Sequence, residues 1–231
     1  MFSIINAGWG YGAPDSERAY SLFRTSPNRK RPLFIRRLIV EKHGDMFGIV
    51  DHYSEAAFVM SDVIELWGAA LLNRHSEGGR VFADNTAAGY IHVSGSAGVW
   101  LRQLNTEGPR VRIVNNGSPI WILGAKTEQT NTLVQGTNGA NTEVVGGLIY
   151  RGFGGDEQMP LFVNVDGRLA ASYAEEAFRP DAFYAIHLDS YIDGDHRVVS
   201  ADQFPRRGPI ARMVPSLSTD DLPHRIPKLE R

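Results

Sequence analysis

The sequence predicts an all-β protein, a single-stranded right-handed parallel β-helix that ends in a C-terminal hairpin and an extended arm. Short apolar runs at 120–123, 133–134 and 144–150 support this fold class, because Gly, Asn and Thr separate them and no helical period lies between them. A sequence repeat of 21 to 24 residues is the second support. That period is shorter than a propeller blade, and it suits one coil of three short strands joined by turns.

The repeat is clearest in the middle of the chain. "WLRQLNTE" at 100–107 aligns with "WILGAKTE" at 121–128 at an offset of 21 residues, and "VVGGLIY" at 144–150 follows at an offset of 22. Earlier, "FIRRLIVEKHG" at 34–44 aligns with "FVMSDVIELWG" at 58–68 at an offset of 24, which sets Phe34 over Phe58.

Residues one coil apart in a β-helix lie above one another at ~4.8 Å, so the alignment predicts columns of side chains. The predicted interior column is Leu101, Ile122 and Val144, and the predicted bend is at Gln103, Gly124 and Gly146. A β-sandwich stays open as the competing fold, because regularly spaced short strands are also typical of sandwiches.

Three segments follow from this pattern. Residues 1–32 are a lead or cap segment, residues 33–200 form the β-helix domain, and residues 201–231 are a Pro-rich arm that lies over the surface or is disordered. Within the domain, 183–199 is expected to form a hairpin with Asp193 and Gly194 at the turn.

Composition excludes several classes of function. The net charge of −2 with a pI near 6.4 argues against nucleic acid as a partner, and no apolar run approaches the ~18 residues of a membrane span. The absence of cysteine excludes thiolate metal sites and a Cys nucleophile. The first residues lack the basic and apolar regions of a signal peptide, so no export signal is expected in this chain.

The runs at 97–150, "AGVWLRQLNTEG", "WILGAKTE" and "NTEVVGGLIY", together with "PLFVNVDGRLAASYAE" at 160–175, resemble the late coils of the pectate-lyase superfamily. The likeness is to bacterial members related to polygalacturonases, and it covers about 33–200. It implies a right-handed β-helix, a role with extracellular polysaccharide, and an extracellular or cell-surface location. The coil that opens such domains has no counterpart in 1–32, so another protein chain or further coils are expected at that open end.

The family's catalytic motifs are largely missing. Thr86 is followed by Ala87 where polygalacturonases carry an Asp, and no Asp-Asp pair lies in the predicted coils. "IVDHYS" at 49–54 and "RGPIAR" at 207–212 only faintly match pectate-lyase motifs, and the second falls in the predicted arm. The acidic and histidine residues at 187–197 are interpreted as a polar hairpin turn, and the histidine spacing predicts no metal site.

One pair of carboxylates carries the candidate chemistry. If the register of the repeat holds, Glu107 and Glu128 stack ~5 Å apart and form the candidate catalytic pair, since close carboxylates shift each other's pKa. Such a pair is also how a Ca²⁺ site is built, so Ca²⁺ is the one cofactor considered, and none is required. The competing interpretation is a solvated turn with Lys126 nearby.

The candidate substrate-binding residues are Trp100, Trp121, Asn105 and Lys126. Trp100 and Trp121 would stack as a platform for sugar rings, or else pack into the structure, and Asn105 and Lys126 would stack in the same way.

Three functions follow from these observations. The first is a polysaccharide-binding or scaffolding module of a pectate-lyase-like protein. The second is an active polysaccharide hydrolase or lyase that uses acidic residues on an outer face. The third is a structural β-helix of a phage spike or surface appendage, whose open end docks onto another chain.

Overall fold

The computed structural model describes residues 2–3, 20–40, 47–65, 70–108, 110–151, 158–177, 179 and 182–220. These residues are almost entirely strands and turns, and one 3-10 turn at Ala201–Gln203 is the exception. Most of the predicted lead segment, at 4–19, and the end of the predicted arm, at 221–231, lie outside the described residues. Within the described part of the chain, no helix has the length and hydropathy needed to cross a membrane.

Eighteen strands in the described ranges form two nine-stranded sheets. Sheet A contains β1 (Phe2–Ser3), β3 (Leu33–Val40), β5 (Phe58–Glu65), β7 (Val81–Ala88), β9 (Val99–Glu107), β11 (Pro119–Glu128), β13 (Asn141–Arg151), β15 (Arg168–Ala177) and β18 (Ala211–Ser218). Sheet B contains β2 (Tyr20–Arg24), β4 (Phe47–His52), β6 (Ala70–Arg74), β8 (Tyr90–Ser94), β10 (Arg110–Asn116), β12 (Asn131–Thr137), β14 (Phe162–Val165), β16 (Ile186–Ile192) and β17 (Asp195–Ser200).

The chain alternates between the two sheets and pairs each strand in parallel with the strand one coil later. Among these eighteen described strands, only β17 and β18 pair antiparallel to their neighbours. This arrangement is a parallel β-solenoid, so the predicted all-β parallel β-helix is confirmed and the sandwich is excluded. The predicted register is also correct in the middle of the chain, where Trp100 pairs with Trp121 and Glu107 pairs with Glu128.

Three long strands of sheet A are each bent by one residue with left-handed backbone geometry. Gln103 has a φ of 52°, Gly124 of 80° and Gly146 of 69°, and these residues lie at the same level of neighbouring strands. The bend therefore divides these coils into three straight segments, as the sequence predicts. Glycine suits this position because it has no Cβ to clash when φ is positive.

The interior is filled by columns of apolar side chains. Leu101, Ile122 and Val144 stack in register and are almost completely buried, which confirms the predicted interior column. Burying an aliphatic side chain of this size stabilises a fold by about 1.5–3 kcal/mol. The stacked columns thus form one core that runs between the two sheets.

The predicted register of the earlier coil is wrong by one residue. Phe34 pairs with Val59, and it is Leu33 that pairs with Phe58. A slip of one residue moves every side chain of a strand to the opposite face. Accordingly, Phe58 is fully buried in the core, whereas Phe34 is 64% exposed on the outer surface.

Coil length varies along the stack, which explains this error. The coil that brings Val81 to its partner Val99 is shorter than the repeat visible in the sequence, and the coil from Thr142 to its partner Leu169 is longer. Strand length changes as well, since the short coil begins with the 8 residues of β7 and the long coil with the 11 residues of β13. The earlier coils therefore do not share the period that is visible at 100–150.

The C-terminal end contains the predicted hairpin and part of the predicted extended arm. The hairpin of β16 and β17 is as expected, with Asp193 and Gly194 at its turn, both at positive φ. Part of that arm is strand β18, which adds to sheet A antiparallel to β15. Its residue Arg212 is buried, so the "RGPIAR" segment reaches into the folded structure.

Candidate functional site

Three aromatic rings stack on the outer face of sheet A. Phe82, Trp100 and Trp121 lie on β7, β9 and β11 in one register column. Their ring centroids are 4.8 and 4.9 Å apart, with interplanar angles of 9° and 12°. These distances match the spacing between neighbouring strands, so each ring is one rung of what we call the aromatic ladder.

Local geometry holds Trp100 down against the strand. A Cβ at Gly98 would overlap the far edge of the Trp100 indole, so only glycine leaves room for this position of the ring. Because the rungs stack on one another, most ring faces in the ladder are already covered. The predicted stacking of Trp100 on Trp121 is present, but sugar rings find free ring surface only at the edges and ends of the ladder.

A shallow groove of about 470 Å³ runs beside the ladder. Its walls include Phe34, Val59, Phe82, Trp100 and Leu123, and most of its lining is apolar. The next outward register column borders the groove with the polar residues Arg36, Ser61, Asp84 and Arg102. Apolar walls with a few fixed polar groups are the usual composition of a ligand site.

One ion pair fixes the polar border of the groove. Nε and Nη2 of Arg102 each donate to a carboxylate oxygen of Asp84 at 2.7 Å, in a bidentate arrangement. The hydrogen bond from Arg102 lowers the pKa of Asp84, and the bond to Asp84 raises the pKa of Arg102. The guanidinium of Arg36, in contrast, makes no hydrogen bond or ion pair with the residues that the structure describes.

The predicted carboxylate pair lies on the same sheet, beyond the bend. Glu107 and Glu128 occupy neighbouring rungs, and Nζ of Lys126 lies between them, 2.8 Å from Glu107 Oε1 and 2.6 Å from Glu128 Oε1. Asn105 also donates to Glu107 at 3.0 Å, so all four predicted residues of this region come together.

Lys126 changes what this pair can do. Partial burial raises the pKa of Glu107, but the hydrogen bonds from Lys126 and Asn105 outweigh it and the net pKa is lowered. The pKa of Lys126 is raised in turn, because the hydrogen bonds to the two carboxylates outweigh its partial burial. The ionised form of Glu107 is therefore favoured, whereas a general acid needs a raised pKa. The geometry favours the solvated-turn interpretation, and the catalytic role of the pair stays a prediction.

A second ionic cluster, which the sequence did not predict, is buried at the C-terminal end of the stack. Arg212 Nη1 donates to Glu175 Oε2 at 2.9 Å and to His187 Nε2 at 3.2 Å. The backbone N–H of Tyr184 donates to Glu175 Oε1 at 2.6 Å, and the Tyr173 hydroxyl bonds Nδ1 of His187. We call Glu175, His187 and Arg212, with these two tyrosines, the buried cluster. His187 thus lies in the interior and not on a polar hairpin turn.

Burial sets the protonation of this cluster. Burial, and next the charge of Arg212, lower the pKa of His187 to about 3. Burial raises the pKa of Glu175, although the Tyr184 N–H and Arg212 act in the opposite direction. Because the side chains of Glu175 and His187 are fully inaccessible, the cluster is part of the structure and offers no surface to a substrate.

Several residues of the groove were missed by the sequence analysis, among them Phe34, Phe82, Asp84 and Arg102. Phe82 and Asp84 lie in the short coil from Val81 to Val99, so a search at the longer period of the repeat does not connect them to Trp100 and Arg102. The aromatic residue at Phe82 and the charge at Asp84 become recognisable once the Val81–Val99 pairing is known.

No group of three or more His, Asp or Glu side chains in the described part of the chain is placed to hold a metal ion. Neither a family model, nor a curated protein, nor a solved structure matches the chain. The likeness to the pectate-lyase superfamily therefore rests on the sequence runs alone, and what is established is the fold, a parallel β-solenoid.

Proposed function

We propose that this protein is a polysaccharide-binding module, and that it binds along the groove on sheet A. The observation that carries this proposal is the groove itself, which pairs aromatic and aliphatic walls with a border of Arg36, Asp84 and Arg102. Sugars present C–H groups to apolar surfaces and hydroxyls to charged or polar groups, so they fit both parts of this lining.

The shape of the groove supports an extended ligand. It is shallow and lies on a sheet whose strands repeat at ~4.8 Å, so equivalent side chains recur along the solenoid axis. A polymer with repeating rings meets similar contacts at successive levels. A small metabolite, in contrast, normally needs a site that encloses most of its surface.

The charges of the site favour binding over cleavage. The outer face has Glu107 and Glu128 paired with Lys126, and Asp84 paired with Arg102. Hydrolysis by two carboxyl groups needs one of them protonated as the acid. The hydrogen bonds to Glu107 and Asp84 lower the pKa of these two carboxyl groups and stabilise their ionised state instead.

A panel of purified plant, algal and bacterial polysaccharides, with and without Ca²⁺, tests the proposal by affinity electrophoresis and by release of reducing or unsaturated ends. We expect retardation by at least one polymer without depolymerisation. Trp100→Ala should weaken that binding at least tenfold, about 1.4 kcal/mol, with an unchanged circular dichroism spectrum. Tyr191→Ala, which removes an exposed ring from sheet B, is the matched control and should bind as the unaltered protein does.

Two results would contradict the proposal. Binding that survives Trp100→Ala would place the polymer elsewhere on the molecule. Rapid depolymerisation would favour the hydrolase or lyase, and loss of that activity in Glu107→Gln and Glu128→Gln would then assign it to the predicted pair.

A second candidate, a structural β-helix in an assembly, is favoured by a different observation. Leu123, Val145 and Leu148 are between 39 and 46% exposed on neighbouring strands of sheet A. Such neighbouring apolar side chains are typical of protein contacts. If the protein self-associates in analytical ultracentrifugation and Val145→Asp returns it to a monomer, the assembly role gains support.

A further inference from the structure

We propose that the groove contains a notch at Val59 that holds one pyranose ring with all-equatorial substituents, sandwiched between Phe34 and Phe82. This inference rests on the proposed polysaccharide binding and names the class of sugar: β-linked glucose- or xylose-configured polymers. It goes beyond the groove as a whole because it assigns one ring to one level of the stack.

The notch arises from a missing rung in the aromatic column. Phe34, Val59 and Phe82 occupy three successive levels of one register column, on β3, β5 and β7. The ladder of stacked rings continues from Phe82 to Trp100 and Trp121, whereas valine at the middle level ends at its γ carbons. The space beyond those carbons belongs to the groove, whose lining includes all three side chains.

The size of the gap fits a ring. The strands that carry Phe34 and Phe82 lie two strand spacings apart, about 9.6 Å. A ring midway between them is then ~4.8 Å from each. This is the distance at which the neighbouring rungs stack, 4.8 Å for Phe82 on Trp100 and 4.9 Å for Trp100 on Trp121. A bound pyranose takes the position that an aromatic side chain holds elsewhere in the column.

The polar groups lie to one side of the notch. Arg36, Ser61 and Asp84 occupy the same three levels in the adjoining outward column. Arg36 supplies guanidinium donors, and the Asp84 carboxylate keeps acceptor capacity beside its bond to Arg102, since each oxygen has two lone pairs. The hydroxyls around the edge of a bound pyranose can hydrogen-bond to this row of polar side chains. The notch therefore offers apolar contacts to the two ring faces and polar contacts to the ring edge.

The sandwich selects the configuration of the sugar. In a β-linked glucose- or xylose-configured pyranose all ring substituents are equatorial, so both ring faces present only C–H groups. A galactose or mannose configuration points one axial hydroxyl at a ring face of Phe34 or Phe82. A hydroxyl buried there without a hydrogen-bond partner costs free energy. We therefore expect preference for the all-equatorial sugars of roughly tenfold or more.

The test fills the notch. Val59→Phe supplies the missing rung, so it should reduce the affinity for cellohexaose or xylohexaose more than tenfold in isothermal titration calorimetry, while the melting temperature stays equal or rises. Val163→Phe makes the same substitution at an outward, partly buried position of sheet B and should leave affinity unchanged. Phe34→Ala removes one wall at a position that is 64% exposed, so it should weaken binding with no effect on folding.

β-1,4-Mannohexaose, with axial 2-hydroxyls, and a β-1,3-galactan hexaose, with axial 4-hydroxyls, are the comparison ligands. Equal or tighter binding of these two overturns the configurational preference, and failure of both glucose- and xylose-configured hexaoses to bind overturns the notch. If Val59→Phe and Phe34→Ala bind as the unaltered protein does while Trp100→Ala loses binding, the groove function stands and the notch falls. If every variant binds equally well, the proposed site on sheet A falls with it.

Discussion

The outer face of sheet A and the C-terminal interior each hold a cluster of charged side chains with similar distances. Lys126 lies 2.6 and 2.8 Å from two carboxylates on the outer face, and Arg212 lies 2.9 Å from Glu175 in the interior. The outer side chains are between 39 and 41% exposed, whereas those of Arg212 and Glu175 are 4% and 0% exposed. The two clusters therefore differ in solvent contact far more than in geometry.

This difference determines what each cluster contributes. Water and salt screen the outer charges, so an exposed ion pair adds at most about 1 kcal/mol to stability. In the interior, the charges lost their hydration when the protein folded, and removing one partner leaves the other uncompensated. The outer cluster is thus available to a ligand at small cost, and the buried cluster ties strand β18 to the end of the stack.

The largest effect is expected from Arg212→Met. It leaves the Glu175 carboxylate and His187 without their shared donor, so the free energy of unfolding should fall by about 3–5 kcal/mol in urea denaturation. A loss below about 1 kcal/mol, the range of an exposed pair, would show that the two clusters are energetically alike.

The double variant Arg212→Met with Glu175→Leu is the control for this prediction. It removes both charges and keeps apolar volume, so it should recover most of the lost stability. No recovery would mean that Arg212 acts through its packing on Phe183 and not through charge.

An intermediate effect is expected from acidification. The pKa of His187 is lowered from 6.5 to about 3, so the stability that its neutral ring supports is present above pH 6.5 and is lost as the pH falls toward 3. Burial also lowers the pKa of His52, to about 4, with the same sign. The raised pKa of Glu175 acts in the opposite direction, because its protonated form is favoured in the folded state.

Between pH 7.5 and pH 5.0, His187 should account for about 2 kcal/mol of lost stability. His187→Gln, measured by urea denaturation at both pH values, should show a pH-dependent loss smaller by that amount, whatever its stability at pH 7.5. The same pH dependence in variant and unaltered protein would place the titrating group elsewhere.

The smallest effect is expected from Lys126→Met. It breaks both outer ion pairs, yet the unfolding free energy should change by less than about 1 kcal/mol, and by less still in 1 M NaCl. A change as large as that of Arg212→Met would contradict the distinction between the clusters. Lys126→Arg, which keeps the charge, is the matched control.

The parts of the fold that the sequence predicts are those in which a coil repeats its own pattern. The repeat at 100–150 links Trp100 to Trp121 and Glu107 to Glu128, and both pairs are in register. Glycine at 124 and 146 gives the bend, because positive φ leaves a signature in residue type. These predictions required only the spacing of the repeat within 100–150 and the conformational preference of glycine.

Other features depend on distances in space that the sequence does not display. The coil from Val81 to Val99 is short and the coil from Thr142 to Leu169 is long, so no single offset connects them. Alternation alone could not fix the register of Phe34, since apolar residues occur on both faces of β3. The error therefore arose where the surface itself is apolar.

The sequence did not predict the buried cluster for a different reason. His187 belongs to a segment rich in acidic residues, and Arg212 follows a run of Pro, Gly and Arg, so both were assigned to the surface. They meet because β18 pairs antiparallel to β15, and the sequence repeat, which predicts only parallel pairing between coils, does not indicate this reversal. The groove was missed likewise, because the coil from Phe34 to Val59 is one residue longer than the predicted offset and the coil from Phe82 to Trp100 is shorter than the repeat.

Because register places residues one coil apart in contact, it also determines which pairs of positions are energetically coupled. A neighbour of Trp100 along the solenoid axis is Trp121, although a full coil of chain separates them in the sequence. Paired substitutions one coil apart should thus be non-additive, while those at adjacent outward positions of one strand should be closer to independent. Among descendants of this sequence, compensating changes are expected at separations that drift from coil to coil, so a search for them has to follow the ladder and not a fixed period.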